Sequence, residues 1–482
     1  MGTIIPRLLN YLLLTPFYTR IFQQGEYGIV TELYAYVAFL FVLLTYGMET
    51  AFFRFSEKQI DKKQVYSTSL ASLFVTSTVF ILLVLSFARP IASFIRYQDN
   101  VEYIVYFALI IGIDAFLAIP FAKLRQENKA VKFAIIKVIN VLSNIGFNFF
   151  FFLVCPGIYE SNPDSVLMNI YNPEIGVGYA FISNLLATII TLLLLLPEIF
   201  KVSARVSARL LRQMLKYAFP LLIVGIAGMI NEVSDKLLFR FLLSVPDHLG
   251  DGKEYVLSQL GIYGANYKLA VLMTLFIQMF RYAAEPFFFS NAQEKDSKQL
   301  YADVMKYFII FCLIIFLAVT LYLDIFKFFI GADFREGLHI VPIVLMANLF
   351  LGVFFNLSIW YKLNDLTRFG AYIALTGAGI TIILNILLVP VMGYTGAAWA
   401  HFFCYLVMVI LSFILGRKYY PVPYDLRRIL FYFLVAMLFF TIEQLVTWPG
   451  VYLRWVMNTI WFLVFIVIVI FMEKDIFKKS FQ

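Results

Sequence analysis

The residues best able to do chemistry lie where charge is least expected. Between Phe219 and Leu242, a stretch long enough to cross a bilayer as a helix, stand Asn231, Glu232, Asp235, Lys236 and Arg240. Spacings of three and four put Glu232, Asp235, Lys236 and Arg240 on one helical face. Each charge exposed to lipid near mid-bilayer costs about 2.5–3.5 kcal/mol, so four cost roughly 10. That face must therefore look into protein or a water-filled cavity, which makes it a candidate transport seam. Other apolar stretches carry Arg7, Glu32, Glu49, Asp114, Lys268, Arg281 and Glu285.

The elements that must hold these charges are membrane helices. The 482 residues are 62% apolar and 14% charged, and apolar runs of about 20 residues recur throughout. No segment has the composition of a polar-surfaced soluble domain. The net charge of +8 is informative through its placement, and no nucleic-acid partner is expected. Cys155, Cys312 and Cys404 are far apart, which predicts no disulfide framework and no metal site. The segment from Thr3 to Tyr18 lacks a basic leader and a small-residue cleavage site, so it reads as a first span rather than a signal peptide.

The pattern predicts an all-α membrane protein with fourteen spans near 1–21, 29–53, 65–88, 101–121, 131–154, 176–198, 217–243, 258–289, 304–326, 338–361, 369–390, 394–416, 427–447 and 453–472. Lysine and arginine alternate in abundance from loop to loop. One side takes 24 of the 38, including Arg54, Lys123, Arg125, Lys201, Lys295, Lys298, Lys362, Arg417, Lys478 and Lys479. This bias predicts that both termini are cytoplasmic. Trp448, Tyr452 and Trp455 are expected in the outer aromatic belt.

The chain also resembles itself. At an offset of 236, Tyr27-Gly28 meets Tyr263-Gly264, Glu49 meets Glu285, Asn128 meets Asn364, Lys132 meets Arg368 and Phe133 meets Phe369. At 237, Asn148 meets Asn385, and Arg20 matches Arg240 at 220. Gly178-Tyr179 resembles Gly393-Tyr394 once part of the 155–175 loop is removed. Co-linear matches at polar, glycine and charged positions favour a duplication over chance likeness among apolar helices. Six spans per copy is even, so two parallel six-helix lobes are expected, 1–200 and 201–418, with two C-terminal helices in 419–482. In the first lobe Leu12, Thr15, Pro16 and Arg20 stand where the second has Glu232, Asp235, Lys236 and Arg240. Arg20 and Arg240 are thus expected to be rim or headgroup contacts.

The turn Gly25-Glu26-Tyr27-Gly28, the run Arg125-Gln126-Glu127-Asn128 and the stretch Phe280-Arg281-Tyr282-Ala283-Ala284-Glu285-Pro286-Phe287-Phe288 accompany these fourteen spans. Together they resemble the polysaccharide-biosynthesis or O-antigen flippases of the multidrug/oligosaccharidyl-lipid/polysaccharide exporter superfamily. The resemblance implies two lobes around a central cavity that opens alternately to each side. It implies an undecaprenyl-diphosphate-linked oligosaccharide moved outward across a bacterial inner membrane, as lipopolysaccharide O-antigen assembly requires. Membrane lipids, a polysaccharide polymerase and glycosyltransferases are the surroundings of that role.

In such a fold spans 1, 2, 7 and 8 line the cavity, which implies substrate contact by Arg7, Arg281, Lys268, Lys236, Glu32, Glu49, Glu232, Asp235 and Glu285. Arginine offers phosphate a bidentate fork, so Arg7 and Arg281 come first. The competing reading is that neighbouring carboxylates neutralise these cations and the pairs only join helices: Asp235 and Glu232 beside Lys236, Glu285 at i+4 from Arg281. Glu32 and Lys268 occupy one repeat position, an acid and a base that could pair across the cavity. Asp114 is a candidate for ion coupling, against the plainer reading of a carboxylate bonded to polar neighbours. Lys137, Asn140, Asn144 and Asn148 read as an inter-helix hydrogen-bonding stripe more than as a sugar site. No G-x-x-x-x-G-K-[ST] run suggests ATP hydrolysis, and no cofactor is expected. His248, His339 and His401 do not cluster. The alternatives are a cation-coupled multidrug exporter of the same superfamily and, from another class, a membrane-embedded polymerase or ligase.

Overall fold

The computed structural model describes residues 4–58, 61–161, 171–201, 205–246, 248, 252–292, 294 and 296–474. Residues 162–170 of the long loop, and Lys295, Lys478 and Lys479 of the charge bias, lie outside the described residues.

Every described element is helical. The first half holds α1 (Ile4–Ile21), α2 (Gln24–Thr45), α3 (Met48–Lys58), α4 (Lys62–Ser86), α5 (Ala88–Phe94), α6 (Val101–Gln126), α7 (Ala130–Phe149), α8 (Cys155–Ser161) and α9 (Gly178–Ile199). Then follow α10 (Ala208–Leu242), α11 (Lys253–Leu269), α12 (Val271–Ser290), α13 (Ser297–Leu321), α14 (Leu323–Phe326), α15 (Val341–Leu357), α16 (Ile359–Leu363), α17 (Thr367–Tyr419), α18 (Leu426–Leu445) and α19 (Val451–Met472). Among the described residues eleven helices are long and apolar enough to cross a membrane, or twelve if α11 and α12 count as one broken span. The 53-residue α17 is two helices joined at Gly393, whose backbone (φ 57°, ψ −137°) is not helical.

The polarity is that of a protein solvated by lipid. Leu82, Leu83, Val391, Leu434 and Val467 are exposed, while Glu32, Glu198, His401, Asn458 and Glu473 are buried. Hydrocarbon accepts apolar side chains and leaves backbone groups to bond within helices, so the charges turn inward.

The chain forms two compact units, Met1–Leu237 and Leu238–Gln482. In the first, Phe52, Tyr66, Leu70, Leu73, Ile119 and Met214 pack α3, α4, α6 and α10 together. Its second span breaks at Tyr46 and Gly47, both at positive φ. A Cβ on Gly47 would stand 3.2 Å from the Ala218 carbonyl oxygen, so glycine serves both the turn and the close approach of α10. In the second unit, Trp360, Ile373, Cys404, Tyr405 and Met408 join α15, α16 and α17. There α11 and α12 meet at a 50° bend. Asp324 and Glu443 both engage Arg454, fixing the start of α19 to α14 and α18.

The two units repeat local structure. Asn128 and Asp365 share φ 55°, and around them the Lys129 N–H bonds the Leu124 carbonyl as the Leu366 N–H bonds that of Tyr361, both at 2.8 Å. The register here is 237, so Asn128 stands opposite Asp365, one residue beyond the Asn364 that the sequence match picks. Buried Asn148 donates to Asn144 O and buried Asn385 to Thr381 O, again both at 2.8 Å. Gly176 (φ 49°, ψ −124°) has the conformation of Gly393.

Candidate functional site

The most telling arrangement lies beyond the bend in the second unit. Arg281 is exposed on α12, with its guanidinium carbon 4.8 Å above the Phe355 ring of α15. Glu285, one turn on, takes its ion pair from Lys362 of α16 and not from Arg281. The i+4 spacing suggested the opposite pairing; Lys362 wins because α16 folds back against α12. Among the described residues Arg281 is left with no carboxylate partner. Arg281, Glu285, Phe355, Asn356, Ser358 and Lys362 line one small pocket. Asn356 is 4% exposed, and its side-chain amide nitrogen has no hydrogen-bond partner. Neither Asn356 nor Lys362 stood out in the sequence as a site residue; the repeat register, which sets Lys362 against Arg125, was the available signal.

The seam on α10 is different. Lys236 Nζ lies 2.9 Å from buried Asp235 Oδ2 and reaches the Glu232 carbonyl oxygen at 3.4 Å. Arg240 is 3% exposed, which overturns its reading as a rim or headgroup contact, whereas Arg20 is exposed and donates to Pro16 O at 2.8 Å. A guanidinium folded into protein cannot reach lipid headgroups. Lys268 is exposed near the end of α11.

In the first unit Arg7 is exposed on α1. Glu32 is fully buried and accepts a 2.6 Å hydrogen bond from the Tyr97 hydroxyl. Glu49 pairs with Arg125, whose guanidinium also lies over Phe53 and Phe133. Asp114 accepts from Thr188 at 3.4 Å, and Lys137 sits 3.9 Å above the Phe121 ring. Asn140 donates to Thr191 at 2.9 Å and Asn148 accepts from Tyr18 at 2.7 Å, so this stripe joins α7 to α9 and α1. His401 meets the Tyr267 hydroxyl at 3.3 Å and His339 meets Thr395 at 2.8 Å, each with partners of its own. The three cysteines are buried and form no disulfide.

Long apolar helices with charges turned inward, some of them broken within the span, define a multi-pass helical membrane protein. The family model described as polysaccharide biosynthesis protein matches residues 1–292, and the chain belongs to that family. No curated protein matches it significantly in sequence. Among solved structures it is similar to "Lipid II flippase MurJ, inward closed conformation" (TM-score 0.70, 14% identity, 99% of this chain and 98% of that one). It is also similar to the MATE multidrug transporter DinF-BH (0.60, 16%, 89% and 94%). A third likeness is to an inward-facing multidrug resistance MATE family transporter of the MOP superfamily (0.59, 13%, 87% and 94%). At these identities the likeness is one of fold.

Proposed function

We propose that the protein is a flippase that moves an undecaprenyl-diphosphate-linked oligosaccharide from the cytoplasmic to the outer leaflet by alternating access. Arg281 and Arg7 are its diphosphate contacts, and Lys268, Lys236, Glu32, Glu49, Glu232, Asp235 and Glu285 are the further residues proposed to meet substrate. In this reading the chain has fourteen spans: α1 is added to the long apolar helices, α11 with α12 counts once, and α17 counts twice at Gly393. Two six-helix lobes, 1–200 and 201–418, precede the two helices of 419–482, with both termini on the basic, cytoplasmic side of a bacterial inner membrane.

The observation that carries the proposal is Arg281 itself. A guanidinium within a spanning helix and without a counter-charge calls for an anion, and its planar fork fits phosphate oxygens. Asn356 adds a second donor beside it. A multidrug exporter for organic cations would instead want an uncompensated acid, and in this pocket Glu285 is taken by Lys362. Asp114, held by Thr188 and within the field of Lys137, is the group proposed to couple an ion. The test is purified protein in liposomes carrying labelled undecaprenyl-diphosphate glycans. Wild type moves label across the bilayer, and Arg281→Ala and Arg7→Ala fall to background while remaining folded. Full activity in both would remove the diphosphate contacts from the proposal.

A further inference from the structure

A second cavity lies in the same unit, away from the α12 bend. It sits where α13, α16 and α18 begin and α15 and α17 end, with a volume of about 660 Å³. Ligand sites of a few hundred to a thousand Å³ are ordinary. Trp360 and Phe413 line it, together with the linker through Tyr420, Pro421, Pro423 and Tyr424. The floor is rigid: Trp360 is 1% exposed, donates to Ser412 at 3.2 Å and stacks on Tyr419, and a Cβ on Gly416 would stand 2.9 Å from its ring. The two prolines fix φ and offer no N–H, and the linker turns tightly at Pro423, where the Tyr424 N–H bonds the Val422 carbonyl at 2.9 Å.

Two cations, Lys298 and Arg417, line this cavity. Lys298 places its ammonium 4.7 Å above the Tyr420 ring. Neither makes an ion pair among the described residues, whereas nearby Arg428 is bound to Asp425 and Glu473. One carboxylate, Asp296, also lines the cavity, at the start of α13. Burial, reinforced by the neighbouring Tyr420, raises the Tyr424 hydroxyl, which therefore stays protonated and able to donate.

We infer that this cavity binds a phosphate-bearing amphiphile, with the phosphate between Lys298 and Arg417 and the carbon skeleton against the aromatic floor. Two cations with an arginine fork suit a phosphate better than a single-point anion. The ends of spanning helices also lie at the depth of lipid phosphates, where basic pockets between helices take headgroups. The ligand is an anionic phospholipid or a free phosphate ester, and the experiment separates these sources. This site shares no residue with the Arg281 pocket, so its fate is independent of the transport proposal.

The full-length protein in a neutral detergent is titrated with phosphatidylglycerol, phosphatidylcholine, glycerol 3-phosphate and inorganic phosphate, and the thermal midpoint is followed. Phosphatidylglycerol is expected to raise the midpoint and phosphatidylcholine to leave it nearly unchanged. In Lys298→Gln/Arg417→Gln the apparent affinity for phosphatidylglycerol falls at least about tenfold, and Arg427→Gln, outside the cavity, keeps it. A response to glycerol 3-phosphate or phosphate alone, lost in the same double variant, assigns the site to a free phosphate and overturns the lipid source. If the double variant does not fold, Arg417→Gln, an exposed side chain, carries the same comparison. An undiminished response in that variant overturns the site.

Discussion

Glu49 with Arg125 in the first unit and Glu285 with Lys362 in the second are one arrangement drawn twice. Each joins the helix after a broken span to the helix end before the next turn. The scaffold is common, and the charges set on it are not. Arg281 of the second unit corresponds to Thr45 of the first, whose hydroxyl bonds back to the Phe41 and Val42 carbonyls of its own helix. Conversely, Asp114 and Lys137 of the first unit correspond, at the register of 237, to Leu351 and Ala374. The two units thus share these joints, while each carries its own buried or unpaired charge.

The largest effect should separate Arg281 from its counterpart. Two charge-assisted bonds to phosphate are worth roughly 1.5–3 kcal/mol each, so Arg281→Ala is expected to slow glycan transport in liposomes at least about a hundredfold. Thr45→Ala should stay within about twofold. Equal losses at both positions would mean that the helix bend matters and the cation does not.

The next contrast is between two buried carboxylates. Glu198 in the first unit gathers Lys132 at 2.7 Å, Lys201 at 3.2 Å and Lys123 at 3.8 Å, and the first two of these side chains are 40% and 54% exposed. Glu473 in the second gathers Lys306 at 2.8 Å, Tyr432 at 2.8 Å and Tyr307 at 3.0 Å, and Lys306 is only 5% exposed. Removing Glu473 leaves the buried Lys306 ammonium with Asp303 alone, at 3.5 Å, so Glu473→Ala should cost up to about 3–5 kcal/mol, read as a lowered thermal midpoint in detergent. In Glu198→Ala the two exposed lysines turn to water, and the loss should be smaller. Burial by itself would raise the Glu473 carboxyl; the bonds from Lys306, Tyr432 and Tyr307 outweigh it and hold it below the usual glutamate range. Its contribution is therefore complete above the ordinary glutamate pKa of about 4.3 and is lost only as pH falls through the lower folded value. The midpoint of wild type, minus that of Glu473→Gln, should stay constant from neutral pH to about 5 and shrink in stronger acid. A difference that shrinks between pH 7 and 5 would show a raised carboxyl instead.

Much of the fold was legible because lipid imposes a simple rule. A spanning helix needs an apolar run, and the runs marked the spans that the structure draws as long helices. The break at Gly393 was legible too, since the match to Gly178-Tyr179 located it within a few residues. Pairing of charges was not. Helical spacing tied Arg281 to Glu285, but that choice belongs to α16, whose return toward α12 no local pattern announces. Arg240 likewise read as a rim residue because its depth depends on neighbours distant in sequence. Asn356 is a lone amide in an apolar helix, and only its unbonded burial draws notice.

The smallest effect should come from the shared joints. All four side chains of the pairs Glu49–Arg125 and Glu285–Lys362 are between 29% and 40% exposed, so water screens them. Such pairs are worth roughly 0.2–1 kcal/mol each, and their value lies in geometry. Reversing one partner, as in Glu285→Lys or Arg125→Glu, sets like charges against each other at the foot of a broken span. Reversing both restores attraction. In each unit the double reversal should thus recover the midpoint to within about 0.5 kcal/mol of wild type, with a coupling of the same sign in both. The units should part in transport. Glu285→Lys frees no acid for Arg281 and leaves the guanidinium available, whereas Lys362→Glu places a second carboxylate in the Arg281 pocket, where it can claim the fork. Transport should therefore fall further in Lys362→Glu than in Arg125→Glu, whose unit has Thr45 at the corresponding place. Equal transport in those two variants, both folded, would break the distinction between a joint and a joint beside a working cation.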